Sequence, residues 1–222
     1  SVDLIDWDDV NESKYAKGIY RNLDADDLGE LSTDTLFKLE GSGLLGRKMK
    51  KEIRSKINDS VIGGSETEPL FDFSNLDSDV KLDVTFSNES EKDLKFGLYV
   101  IENLDGAVKD PVTGELITPG SAGYEDAALD ANNIFGDIST INEDGTRLKS
   151  MTDSYEGEEG KEMFAPFLED KLTGEVYFAF DEENAEGEKF FKSFGDGTIG
   201  IKDDKNNHDF DDMILSLDLQ SL

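Results

Sequence analysis

The chain contains no cysteine among its 222 residues. Its fold therefore cannot depend on disulfide bonds, and thiolate metal sites are excluded. No run of apolar residues is long enough to span a bilayer. The sequence also lacks a nucleophile elbow, a phosphate-binding glycine loop and a zinc-protease motif, so it does not predict an enzyme. The single tryptophan, Trp7, and the single histidine, His208, add no catalytic constellation.

Positive charge is scarce as well. The 22 Lys and Arg residues face 52 Asp and Glu residues, which gives a formal net charge of −30. Such a field repels phosphate backbones and anionic lipids, so neither nucleic acid nor membrane insertion is expected. It attracts cations, and carboxylate oxygens are ligands that calcium prefers. The alternative explanation is that the excess of acidic residues only keeps the protein soluble.

Residues 1–66 differ from the rest and are interpreted as an N-terminal appendage. An apolar residue recurs every fourth position from Leu45 to Ile57, which predicts an amphipathic helix over about 44–57. Its other faces are strongly basic. We expect this helix to lie on the acidic β domain of its own chain, with docking of a partner as the alternative. Residues 62–69, rich in Gly, Ser and Glu, are predicted to be a linker or long loop.

From Pro69 onward the apolar period changes to two, which is typical of half-buried strands. The strands at 80–86 and 94–100 are predicted to form an antiparallel hairpin. Further strands are predicted around residues 176–180, 190–194, 199–201 and 213–219. Residues 69–222 are therefore predicted to form an all-β domain, an antiparallel β-sandwich of the jelly-roll kind.

One acidic segment, residues 195–214, is bounded on both sides by apolar residues of predicted strands. Its aspartates are Asp196, Asp203, Asp204, Asp209, Asp211 and Asp212. Clustered carboxylates raise one another's pKa unless a cation lies among them. Calcium accepts six to eight oxygen ligands in irregular geometry, whereas magnesium demands a near-ideal octahedron. The segment therefore predicts a calcium site, with an acidic surface loop that binds no specific ion as the alternative.

Residues from about 71 to 219 resemble a bacterial family of extracellular domains, domain-of-unknown-function family 4114. The resemblance lies in the segments Phe96–Val100, Pro119–Tyr124, Tyr177–Phe180, Asn184–Gly187, Gly200–Asp203 and Asn207–Asp212. Members of the family occur in secreted and surface proteins, often beside calcium-binding repeats. The resemblance implies a calcium-binding β domain outside the cell.

By the same resemblance, the calcium ligands are Asp203, Asp209 and Asp212. Asp211 stands where the family often has Asn, and Glu186 stands where it has Asp, so both are included as ligands. Lys202 replaces a glutamate of the family. Because successive side chains of a strand point to opposite faces, Lys202 is expected to point away from Asp203.

We expect a calcium-binding structural or adhesion module of a secreted or cell-surface bacterial protein, with calcium stabilising the acidic C-terminal loop. The alternative is a calcium-dependent, lectin-like carbohydrate-binding module, whose sugar site would use Tyr99, Tyr124, Tyr155 and Tyr177. Besides calcium ions, a cell-surface glycan or another surface protein is the expected partner. The role of residues 1–66 is left open between a flanking linker, a capping helix and a docking element.

Overall fold

The structure of the protein is a computed structural model that describes residues 28, 31–41, 45–76, 80–141, 147–155, 162–204 and 209–221. Trp7, His208 and about half of the N-terminal appendage lie outside these ranges. Within them, no helix combines the length and the apolar character that crossing a bilayer requires.

The described residues form three helices: α1 over Thr33–Gly41, α2 over Arg47–Ser60 and α3 over Tyr124–Ala128. Helix α1 begins after Ser32, whose hydroxyl oxygen accepts a hydrogen bond from the Thr35 amide at 3.3 Å, as N-cap residues do. Helix α2 overlaps the range predicted from the apolar spacing but lies three residues further along the chain at both ends.

Most of the remaining described chain is β-structure. Its strands are β1 Ile62–Gly64, β2 Pro69–Asp72, β3 Val80–Asn88, β4 Leu94–Ile101, β5 Val108–Lys109, β6 Leu116–Ile117, β7 Ile134–Ile141, β8 Arg147–Tyr155, β9 Met163–Asp170, β10 Val176–Phe178, β11 Phe191–Gly195, β12 Thr198–Ile201 and β13 Met213–Ser221. In β3 the alternate residues from Val80 to Phe86 are buried while those between them are half-buried. The period of two in the sequence therefore marks the strand face that packs into the core.

Two large antiparallel sheets contain most of these strands. The six-stranded sheet has the order β1-β2-β9-β4-β7, with β10 also paired to β9, and the five-stranded sheet has the order β11-β12-β13-β3-β8. Strands β5 and β6 form a separate two-stranded ribbon. The prediction of a β-rich, antiparallel fold is confirmed.

The predicted hairpin between residues 80–86 and 94–100 is wrong. Strand β3 pairs with β13 and β8, whereas β4 pairs with β7 and β9, so the two strands belong to different sheets. The intervening residues pass from one sheet to the other, and the amides of Glu89 and Ser90 donate to the carbonyl of Asp212. Phe86 and Phe96 then meet in the core with ring centroids 4.7 Å apart.

Helix α2 packs on the five-stranded sheet. Ile53 and Ile57 are fully buried, as expected of its apolar face. The Asn58 side-chain oxygen accepts a hydrogen bond from the Leu219 amide of β13 at 3.0 Å. Arg54 donates to Asp218 at 2.9 Å and also pairs with Glu40 of α1. The apolar face of α2 is therefore used within the chain itself.

The segment predicted as a linker, residues 62–69, instead forms a hairpin. Strand β1 pairs with β2, and Gly64 opposes Pro69. Gly64 has φ +78°, and a Cβ added there would lie 2.2 Å from the Glu68 carbonyl oxygen. Only glycine fits this close turn. The Gly and Ser residues of segment 62–69 therefore belong to a tight turn and not to a free linker.

Candidate metal sites

The acidic C-terminal loop joins β12 to β13. Ile201 at the end of β12 pairs with Met213 at the start of β13, so the loop is closed at its base by the sheet. The structure describes residues 202–204 and 209–212 of it, which include four of the five predicted ligands. The intervening residues 205–208 lie outside the described ranges.

Asp203 and Asp212 are brought together at the base of this loop. The Asp203 amide donates to Asp212 Oδ2 at 3.0 Å. The Asp203 carboxylate accepts a hydrogen bond from the Ser90 hydroxyl and lies 3.8 Å from Lys92 Nζ. Burial raises the pKa of Asp203, and the charges of Asp212 and Asp204 add to that, although Ser90 and Lys92 act in the opposite direction.

Asp209 and Asp211 form a second pair at the outer part of the loop. A side-chain hydrogen bond and the negative charge of Asp209 raise the pKa of Asp211, with a further contribution from Asp212. Two carboxylates in hydrogen-bond contact favour a shared proton when no cation is near. The described loop therefore contains two acidic pairs, one at the base and one further out.

The Lys202 side chain does not add its charge to Asp203 directly. Its ammonium group lies 2.9 Å from Glu188 Oε2, and its side chain is only 4% exposed. The aromatic rings of Phe190 and Phe210 lie 5.3 and 5.8 Å from the ammonium nitrogen. These contacts place the lysine between two aromatic rings and a carboxylate of another segment.

Glu186 lies in a separate turn, Ala185–Gly187, and is exposed. Its backbone has φ +63°, a conformation that non-glycine residues adopt uncommonly. Among the described residues its side chain makes no hydrogen bond or ion pair. The structure therefore joins Asp203 to Asp212 and Asp209 to Asp211, and it connects Glu186 to neither pair.

A third acidic group, absent from the sequence-based prediction, lies beside the first hairpin. Glu68 precedes β2, and Asp181 and Glu182 follow β10 in a 3-10 turn. One carboxylate oxygen from each of the three residues lies within 4.8 Å of the others. In the described part of the chain, no other trio of potential ligands is this close. We call Glu68, Asp181 and Glu182 the acidic trio.

Asn184 holds the segment that carries two members of the trio. Its side-chain oxygen accepts a hydrogen bond from the Phe178 amide at 2.8 Å. Its side-chain nitrogen donates to the carbonyls of Phe178 at 2.8 Å, Glu188 at 2.8 Å and Phe180 at 3.3 Å. Asn184 is buried, so these bonds replace contacts with water and fix the path of the chain after β10.

On the other side of the trio, a short turn positions Glu68. The Ser65 hydroxyl oxygen accepts a hydrogen bond from the Glu68 amide at 3.1 Å. The Asp181 amide approaches Glu68 Oε1 at 3.4 Å, a weak contact that spans 113 residues of sequence. The trio is brought together by the folding of the sheet and not by a local sequence motif. The sequence-based prediction missed it for this reason. The only sequence signal is the acidic run 181–183 directly after a strand.

The donor set of the trio fits calcium. Three carboxylates supply up to six oxygens, and calcium takes six to eight oxygens in flexible geometry, with water completing the shell. Lys189 already offsets part of the charge, since its ammonium lies 3.4 Å from Asp181 Oδ2 and 3.0 Å from the Thr67 hydroxyl. Its side chain is 45% exposed, so the ammonium can move into water when an ion binds.

Three of the four tyrosines considered for a sugar site are core residues, and the side chain of Tyr155 lies outside what the structure describes. Tyr99 and Tyr124 are fully buried, and their hydroxyl groups are 3.1 Å apart. The Tyr124 hydroxyl donates to the Gly106 carbonyl at 2.7 Å. Tyr177 stacks on Phe190 with ring centroids 4.1 Å apart beside a cavity of about 340 Å³. Both residues of this stack are largely buried, and both line the cavity.

We compared the chain with models of protein families, with curated proteins and with solved structures, and none of them matches it. The resemblance to domain-of-unknown-function family 4114 therefore stays a prediction.

Proposed function

We propose that the protein is a calcium-binding structural or adhesion module of a secreted or cell-surface bacterial protein, whose two large sheets form a jelly-roll-like sandwich. The observation that carries this proposal is the convergence of Glu68, Asp181 and Glu182, whose carboxylate oxygens lie within 4.8 Å of one another. Like charges at this distance repel, and a divalent cation among them turns the repulsion into attraction.

An ion bound by the trio would connect two strands of the six-stranded sheet. Strand β2, which follows Glu68, and strand β10, which precedes Asp181, both pair with β9. Because β4 pairs with β9 on its other side, β2 and β10 lie end to end along the same edge of β9. Calcium would join these ends and stabilise the folded state relative to the unfolded chain.

The acidic C-terminal loop is the second proposed calcium site, with Asp203, Asp209, Asp211 and Asp212 as ligands and Glu186 as the ligand implied by resemblance. The raised pKa values of Asp203 and Asp211 support it, because a cation would relieve the repulsion that contributes to them. An ion there would close the loop between β12 and β13.

The proposed location follows from calcium affinity. Extracellular calcium modules bind with dissociation constants of about 10⁻⁴ to 10⁻³ M. Sites of that affinity fill outside the cell and remain empty in the cytosol, so full stability would be reached only after export. This reasoning makes calcium a structural ligand and assigns it no catalytic step.

Calorimetric titration of the purified protein with calcium, and separately with magnesium, tests the proposal. We expect calcium binding that magnesium does not reproduce. Asp181→Asn should remove the heat that belongs to the trio, and the pair Asp209→Asn and Asp211→Asn should remove the heat that belongs to the C-terminal loop. Glu115→Gln is the matched control, because Glu115 is an exposed carboxylate outside both groups. A titration without calcium-specific heat would overturn the proposal.

A further inference from the structure

Helix α2 turns a dense set of cations away from the body of the protein. It contains six basic and two acidic residues within 14 positions, in a chain whose net charge is −30. Arg54 points toward the rest of the protein and pairs with Glu40 and Asp218. Four of the other five are exposed and are here called the cationic face: Arg47, Lys48, Lys51 and Lys56, whereas Lys50 is half-buried.

Few acidic side chains neutralise the positive charge of the cationic face. Lys48 lies 3.6 Å from Glu52, but its side chain is 94% exposed, so this pair is weak. The other three cations form no ion pair with any residue that the structure describes. Within the described part of the chain, the apolar face of α2 is already buried, whereas its cationic face stays exposed.

The same chain carries a surface of opposite charge. A groove of about 490 Å³ is lined by Glu125, Asp126, Glu182 and Glu183 together with residues 120–123. Among the residues that the structure describes, no lysine or arginine lines it. The Gly120 amide donates to the Glu183 carboxylate at 2.7 Å. We call this surface the acidic groove.

The two surfaces are built by different parts of the fold. Helix α2 packs on the five-stranded sheet through Asn58 and Arg54. The acidic groove is built by α3 and the turn after β10, and Tyr124 of α3 packs on Tyr99 and Phe178 of the six-stranded sheet. We propose that the cationic face of one molecule docks into the acidic groove of a second copy.

Charge complementarity between the cationic face and the acidic groove indicates a second copy as the partner. Two copies repel at long range because each carries a net charge of −30. Between two copies that long-range repulsion is screened beyond about 8 Å at physiological salt, whereas the charges in contact still attract. A contact between two different surfaces either closes as a reciprocal dimer or continues into larger assemblies. Glu182 belongs to both the acidic groove and the acidic trio, so calcium bound by the trio would compete with docking, and the test is therefore made in chelator.

Sedimentation velocity in chelator, at about 150 mM salt (low salt) and about 500 mM salt (high salt), tests the proposal. We expect concentration-dependent dimers and larger species at low salt and monomers at high salt. The double variant Lys48→Glu and Lys51→Glu should weaken association by at least about tenfold, because each exposed pair changes from attraction to repulsion. Glutamate favours helix as lysine does, so α2 should remain folded.

Exchanging the charges of the two surfaces distinguishes this specific contact from a general effect of net charge. The double variant Glu125→Lys and Asp126→Lys should also weaken association, and all four substitutions in one chain should restore it. Lys109→Glu with Lys171→Glu is the control, since it changes net charge equally at exposed positions elsewhere. A chain that stays monomeric at low salt, a control that weakens association equally, or a fourfold variant without recovery would each overturn the proposal. The first result would indicate that another part of the chain, or a different protein, covers the cationic face.

Discussion

Replacing Asn184 with alanine removes four hydrogen bonds that fix the chain between β10 and Phe190. The Asn184 side chain bonds to both backbone groups of Phe178 and to the carbonyls of Phe180 and Glu188. Phe178 is only 1% exposed, so water cannot reach its amide and carbonyl once the partner is gone. The substitution therefore leaves at least two buried polar groups without a hydrogen bond.

The expected loss of stability follows from those groups. A buried donor or acceptor left without a partner costs about 1–3 kcal/mol. The two groups of Phe178, with smaller contributions from the partly exposed carbonyls, give a decrease of about 3–5 kcal/mol in the free energy of unfolding. For a chain of this size, each kcal/mol lowers the melting temperature by about 2–4 °C. We expect a decrease of about 10 °C.

Urea denaturation and thermal melting of Asn184→Ala, both in chelator, provide the assay. Asn132→Ala is the matched control, because Asn132 is exposed and donates to Asp130 at 2.8 Å. Its effect should remain within about 0.5 kcal/mol. If Asn184→Ala is no more destabilising than this control, then the side chain does not hold the segment that carries Asp181 and Glu182.

Two further predictions concern the packing of α2 and the acidic loop. Ile57→Ala should lower the free energy of unfolding by about 2–5 kcal/mol in urea titration, because Ile57 is fully buried. The control Val112→Ala, at a 90% exposed position, should have little effect. Equal effects of the two substitutions would contradict the docking of α2. Because the pKa of Asp203 is raised, the folded chain binds more protons there than the unfolded chain at pH values just above the ordinary Asp range. The contribution of Asp203 to the free energy of unfolding should therefore increase as pH falls through the raised pKa. Denaturation in chelator at a series of pH values should show a weaker pH dependence for Asp203→Asn. An unchanged pH profile would contradict the raised pKa.

The sequence predicted six of the thirteen strands and did not predict their pairing. Alternation of apolar and polar residues identified β3 and β13 because one face of each strand packs into the core, and it identified β4 although both faces of that strand are largely buried. Alternation carries no information on which strand is the neighbour. Two strands adjacent in sequence were therefore predicted to pair, although the chain crosses between the sheets at residues 89–93.

A repeated turn was present in the sequence but was not used to predict the loops. The segments Asp110–Glu115 and Asp170–Glu175 share the pattern Asp-x-x-Thr-Gly-Glu. In both, the aspartate carboxylate accepts hydrogen bonds from the amides two and three residues later, and the glycine has positive φ. These turns connect β5 to β6 and β9 to β10, so the pattern would have indicated two hairpins.

The candidate metal sites were predictable only where their residues lie close in sequence. The C-terminal loop was recognised because its aspartates lie within one short segment between predicted strands. The acidic trio depends on a contact between Glu68 and Asp181, which are 113 residues apart, and on the shared edge of β9. Such a contact follows from sheet topology, which a single sequence does not reveal.

Thermal melting in chelator, in millimolar calcium and in millimolar magnesium tests the proposed calcium-binding function most directly. At tenfold excess over the dissociation constant, one bound ion adds about 1.4 kcal/mol to the free energy of unfolding. The melting temperature should therefore rise by about 3–6 °C with calcium and much less with magnesium. Asp181→Asn should reduce that rise, and Asp209→Asn should reduce it independently. Identical melting curves in the three buffers would contradict the proposal that calcium stabilises this fold.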